Sequence, residues 1–293
     1  MRIDPKDLEK TTLAPGDQRF LRVFIALIGA LLTVEILRDF TPAKSAIFFF
    51  LLAWPPLLVL HELGHAGMAR LFGWHVHEIV IGYGRVVKRW QRGTMQIELR
   101  ALPLGGHVVP VPQRRQGARL ASFFIYAAGP GIELAFVGGV AAVLGVDVLT
   151  TATDHYGLIA IQAVCVAALV GAVTNLLPMT TAEGAWTDGK GMLMSPFLAD
   201  ADLGRMMASP QLVEGNRQLA RGDEVGALAT FEAGIAQFPE VVLMHYGRAV
   251  ALVALGHRLE ALMNLQTAAS DPTRSEAFRA QAAHLLQHVR ETK

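Results

Sequence analysis

Residues Ser45 to Phe72 read SAIFFFLLAWPPLLVLHELGHAGMARLF. The run is long enough for a bilayer core, which takes roughly 20 mainly apolar residues per helix. Yet it carries three ionisable side chains, His61, Glu62 and His65. Each costs roughly a few kcal/mol at membrane depth, so the helix calls for a metal ion or a polar cavity to hold them. Histidines at i and i+4 lie on one helical face, where both imidazoles can reach the same ion. Glu62 sits beside the first of them, placed to take a proton from a water at that ion. The pair Pro55-Pro56 stands a turn and a half before His61 and predicts a kink that re-aims the segment carrying the motif.

Working outward, three more stretches are long and apolar enough to span: about Phe20 to Leu37, Leu120 to Leu144 and Tyr156 to Leu177. The chain is 52% hydrophobic and 17% charged, against about 25% charged in soluble domains. The deficit is concentrated between about Phe20 and Pro178. The N-terminal segment, residues 1–19, mixes acids and bases and is not followed by a small-residue cleavage site, so the first span is expected to stay as an anchor. A net charge of +1 gives no global pull toward nucleic acid. The single cysteine, Cys165, excludes an intrachain disulfide and reads as a small buried hydrophobe.

Basic residues set the expected orientation. Arg85, Lys88, Arg89, Arg92, Arg100, Arg114, Arg115 and Arg119 all fall between the second and third spans. The connections on the other side, Arg38 to Lys44 and Asp147 to His155, carry few bases or none. Both termini are therefore expected on the cytoplasmic side of a bacterial-type plasma membrane. Within the basic loop, Met95, Ile97, Leu99 and Ala101 alternate with Gln96, Glu98 and Arg100, the period of a half-buried strand. Val86 to Trp90 can pair with it across a turn at Gln91 to Thr94, which predicts a membrane-associated β-hairpin over about 77–106. His75, His77, His107 and His155 are read as loop histidines rather than ligands.

Beyond Asp188 hydrophobicity falls. A linker is expected over 196–209, and a cytoplasmic helical domain over 210–293. There Gly215, Ala227, Phe231 and Pro239, followed by Ala249, Ala261, Leu265 and Pro272, sit near the spacing of tetratricopeptide repeats, whose period is 34 residues. Asp271 to Val289 can add a capping helix. The fold class is thus a mainly α, polytopic membrane protein of about four transmembrane helices, with a short hairpin and a C-terminal repeat domain.

Two further segments complete the motif. Asn175-Leu176-Leu177-Pro178 closes the fourth span and Asp188-Gly189 follows it. Together with His61-Glu62-Leu63-Gly64-His65 they resemble the site-2 protease family of intramembrane metalloproteases. Leu102-Pro103-Leu104-Gly105-Gly106 and Ala128-Gly129-Pro130 are similar to further segments of that family. The resemblance covers about Pro55 to Met192. It implies one zinc ion held by His61, His65 and Asp188, Glu62 as general base, and hydrolysis of peptide bonds in or near the transmembrane helix of a protein substrate in the lipid bilayer. Asp188 stands further beyond Pro178 than the commonest family spacing, which would select Glu183 as the alternative ligand. Asn175 is a candidate to orient substrate backbone. Glu133 stands where the family often has asparagine, and its role is left open between a snorkelling or protonated carboxylate and a contact to the site. A protein partner is expected for residues 210–293, and no nucleic acid. The alternatives are an inactive metal-binding adaptor and a metal-ion carrier.

Overall fold

The computed structural model describes residues 40–181, 185–272 and 276–291, with scattered helical positions between 23 and 38. The N-terminal segment and most of the expected first span lie outside the described residues. Two compact units result, one of spans and hairpin, the other dominated by residues 198–293.

In the first unit, a 3-10 turn at Pro42–Ser45 leads into helix α1, Ala46–Leu71. The strands β1, His75–Arg92, and β2, Met95–Val111, form a two-stranded hairpin. Helix α2 spans Ala118–Leu144, a single turn α3 spans Asp147–Thr150, and α4 spans Tyr156–Leu176. The short α5, Asp188–Met194, follows. Among the described residues, three helical stretches are long and apolar enough to cross a membrane: Pro42–Leu71, Ala118–Leu144 and Tyr156–Leu176. Their outward faces carry Leu51, Leu52, Leu63, Leu120 and Val143, all exposed. Apolar surface on that scale marks contact with lipid or protein rather than water.

Pro55 and Pro56 lie inside α1, which continues through them for four more turns. Proline leaves the carbonyl four residues before it without its helical partner. Between the helices the contacts are close: a side chain on Gly64 would meet the Ala128 carbonyl carbon at 3.1 Å, so α1 and α2 pack backbone to backbone at the histidine motif.

The hairpin is longer than expected, and its ends include His75, His77 and His107. These three stand in strands, not loops, because pairing continues past Gly82 and Gly84. Both of those take positive φ (93° and 79°), a backbone state that glycine reaches without strain. The alternation along β2 also differs from a simple half-buried strand. Gln96 and Glu98, expected on the open face, are buried at 7% and 3% exposure. Polar groups tolerate this because they satisfy one another. Glu98 accepts from Arg89 at 2.5 Å across the hairpin, from Arg100 at 3.0 Å and from Gln96 at 2.8 Å. Burial works against its charge, but the Arg100 and Arg89 hydrogen bonds hold the carboxyl below its usual range.

The second unit carries α6 (Asp200–Arg221), α7 (Glu224–Gln237), α8 (Val242–Ala254), α9 (Arg258–Ser270) and α10 (Glu276–Glu291). Residues 200–209, expected within a linker, are helical, and Pro210 sits inside α6. The propensity break at proline is overridden here by burial of Leu203 and Ala208. Gly222 at φ 77° ends α6, and Asp223 then caps α7 by accepting from Gly226 N at 2.9 Å. Phe231 is fully buried between Gly215 and Gly247, where added Cβ atoms would meet its ring at 2.6 and 2.5 Å. A second core gathers Ala249, Leu252, Ala261, Leu265 and Val289, with Leu285 and Leu286 of α10 packed on it.

A candidate metal centre between the spans

α1 supplies His61, Glu62 and His65, all buried. The two imidazoles sit one helical turn apart, with Nε2 to Nε2 at 3.1 Å. Each is oriented from behind. His65 Nδ1 lies 2.6 Å from the Ile125 carbonyl oxygen, which can only accept, so Nδ1 carries the proton. His61 Nδ1 lies 3.1 Å from Glu133 Oε2, which selects the same tautomer. Both Nε2 atoms therefore present lone pairs to the same point.

Asp188 arrives from the opposite side through a well-tied loop. Thr187 Oγ1 donates to the Leu177 carbonyl at 2.6 Å and accepts from Met179 N at 2.9 Å, tying Thr187 to the residues that follow α4. Gly189 then presses on the Leu176 carbonyl at the end of α4, leaving no room for a side chain, and a Cβ on Gly191 would stand 2.5 Å from the Tyr126 ring. Docked this way, Asp188 places Oδ2 3.0 Å from His61 Nε2 and Oδ1 3.3 Å from His65 Nε2.

Three electron-pair donors facing one another at 3.0–3.3 Å fit a cation. Tetrahedral zinc with bonds of about 2.0–2.2 Å would separate its ligand atoms by roughly 3.3–3.5 Å, close to what is found. Ligand atoms from His61, His65 and Asp188 lie within 4.8 Å of one another, the one such group among the described residues. Glu62 lies beside them, and its buried Oε2 has no hydrogen-bond partner. Its other oxygen is 2.7 Å from where a Cβ on Gly106 would sit, so the hairpin backbone closes on the carboxylate and only glycine fits. On the far side, a Cβ on Gly129 would strike both imidazoles, 2.6 Å from His61 Nε2 and closer still to His65. Sequence reading matched Gly106 and Gly129 to family segments without seeing that they wall the site.

Of the two acidic candidates, Asp188 is the one in the cluster; Glu183 lies outside the described residues. The Asn175 amide nitrogen donates to the Gly171 carbonyl at 3.0 Å, one turn back on its own helix. Glu133, whose role spacing left open, is 3% exposed and bonded to His61. The signal was present: Gly129 and Glu133 stand at i and i+4, on one face of α2.

Comparison with known proteins points to metallopeptidases. The model of peptidase family M50 matches residues 49–252. A Synechocystis chain named as a putative zinc metalloprotease is 42% identical over 52 residues, 18% of this chain and 14% of that one. The chloroplastic membrane metalloprotease ARASP of Arabidopsis thaliana is 40% identical over 52 residues, 18% of this chain and 12% of its own. The regulator of sigma E protease of Haemophilus influenzae is 34% identical over 95 residues, 28% of this chain and 21% of its own. The chain thus covers less than a quarter of the length of each of these relatives.

Proposed function

Because this chain belongs to peptidase family M50, we propose that it is an intramembrane zinc metalloprotease of the site-2 protease type, cutting membrane-protein substrates in or near a transmembrane segment. The observation that carries this reading is the convergence of His61, His65 and Asp188 beside an unpartnered Glu62 carboxylate oxygen, between helices that expose apolar faces. Zinc is indicated by the family and by the relatives' names, and His61, His65 and Asp188 would hold it. When bound it supplies a Lewis acid that lowers the pKa of a water to about 7.

The chain's own residues do the rest. Glu62 accepts the proton of the attacking water on Oε2 and passes it to the leaving amine nitrogen, as a general base and then a general acid. The Ile125 carbonyl keeps the His65 imidazole facing the centre. The hairpin, whose Gly106 touches Glu62, offers backbone along a strand edge where an unwound substrate segment can pair. Asn175, with one amide N–H engaged with the Gly171 carbonyl, keeps its second N–H and its Oδ1 for a substrate backbone. Residues 210–293 make a tetratricopeptide-like domain that binds a cytoplasmic protein segment, with both termini on the cytoplasmic side and a further span over Phe20 to Leu37. The Glu62 oxygen favours hydrolysis over a metal-binding adaptor or a metal-ion carrier, neither of which uses a base.

The test is a comparison of membrane-protein fragments in cells carrying wild type or Glu62→Gln. Fragments present with wild type and missing with a zinc-loaded Glu62→Gln support hydrolysis; identical fragment sets overturn it.

A further inference from the structure

Glu133 is a carboxylate in the middle of an apolar helix that the proteolytic reading does not require. Its side chain is 4% exposed and its Oε2 lies 3.1 Å from His61 Nδ1. Space for it has been cleared on the neighbouring helix. A Cβ on Gly171 of α4 would stand 2.7 Å from Glu133 Oε1, so the carboxylate lies against bare backbone. Thus α1 offers the imidazole, α2 the carboxylate and α4 the gap that admits it. The two histidines are treated differently: His65 is oriented by the neutral Ile125 carbonyl, His61 by a group able to carry a full charge.

We propose that Glu133 is a positioning residue of the metal centre, turning His61 Nε2 toward Asp188 through the bond it makes at Nδ1. The effect follows from physical chemistry. An imidazole that donates Nδ1–H to a carboxylate is both fixed in ring orientation and made a stronger base at Nε2, and such outer partners are worth about 10–100-fold in metal affinity.

This inference rests on the metal site proposed above, and one set of measurements separates the two. Zinc affinity, by competition with a chromophoric chelator, and the visible absorption of the cobalt-substituted protein are measured on the full chain in detergent. Wild type, His61→Ala, Glu133→Gln and Glu133→Ala are compared, with melting of the metal-free forms alongside. Glu133→Ala is expected to bind zinc about 10–100-fold more weakly and to shift the cobalt bands. Glu133→Gln, which keeps an acceptor but loses the charge, should fall between it and wild type. If Glu133→Ala does not fold, Glu133→Gln alone decides. Wild-type zinc affinity in Glu133→Gln, or a loss matched by an equal loss of metal-free stability, overturns the proposal. A wild type that binds zinc no better than His61→Ala overturns the metal site itself.

Discussion

Around Phe231 the C-terminal unit keeps carbon inside: Leu203, Ala227, Phe231, Met244, Leu252 and Leu265 are at most 2% exposed. Around His61 the first unit keeps charge inside, with His61, Glu62, His65, Glu133 and Asp188 all at or below 9%. Among the described residues, every buried charged side chain belongs to this unit and none to residues 198–293. The outer faces are inverted to match, leucine and valine on the spans, charged pairs such as Arg248–Glu232 on the C-terminal helices. Both units are helical, so helix formation does not distinguish them. The medium does. In lipid, apolar burial gives no drive to pack helices, and close backbone contacts at Gly64 and Gly189 take over. In water, burying Phe231 is itself the driving force.

The strongest way to break this contrast is to remove a buried charge that has a job. Asp188→Ala is expected to weaken zinc binding by more than the roughly 10–100-fold typical of an outer partner, while Glu183→Ala leaves it near wild type. Metal titration of the two variants checks this, and a reversed order would move the ligand to Glu183. Next in size is the apolar counterpart. Phe231→Ala should cost the C-terminal unit about 3–5 kcal/mol, read as a lowered melting transition, with zinc affinity unchanged. If zinc were lost as well, the two units would not be independent in stability.

A smaller effect tests the close packing. Gly129→Ala places a methyl group against both imidazoles. Overpacking of this kind costs about 1–3 kcal/mol, and more of it should fall on the metal-loaded form, where bonds to the ion stop the two Nε2 atoms from moving aside. Equal destabilisation of the loaded and metal-free protein would mean that Gly129 serves helix packing alone.

How much of this was legible in the sequence follows from what each feature depends on. The three described spans and the hairpin were visible because hydropathy and a two-residue period are local properties, and His61, Glu62 and His65 because their spacing fixes one helical face. Asp188 needed a family motif, since 127 residues separate it from its partner His61. The wall made by Gly106 and Gly129 was out of reach: a glycine's lack of side chain says nothing about what fills the space. Residues 200–209, expected in a linker, are helical through Pro210, because a proline's local cost is offset by burial that only the folded unit contains. Gln96 and Glu98 misled for a related reason, since alternation predicts which side chains share a face but not whether arginines will cover it.

That last pair gives the smallest prediction. Glu98 is a buried acceptor served by Arg89, Arg100 and Gln96, and its carboxyl is held below the usual range by Arg100 and Arg89 against the opposing effect of burial. A lowered folded-state pKa means that the charged form contributes stability above the unfolded value, near 4.5. That contribution fades as pH falls from there through the folded value. The hairpin should therefore hold its amide-exchange protection at neutral pH and lose part of it below about pH 4.5. Glu98→Gln should remove the same protection at neutral pH, at a cost of about 1–3 kcal/mol for unpairing buried partners, and should flatten the response to acid. Hydrogen exchange across residues 75–111, compared between wild type and Glu98→Gln over that pH range, reads both effects. Protection in wild type that stays constant through the acid range would show that pairing along the strands, and not this carboxylate, holds the hairpin.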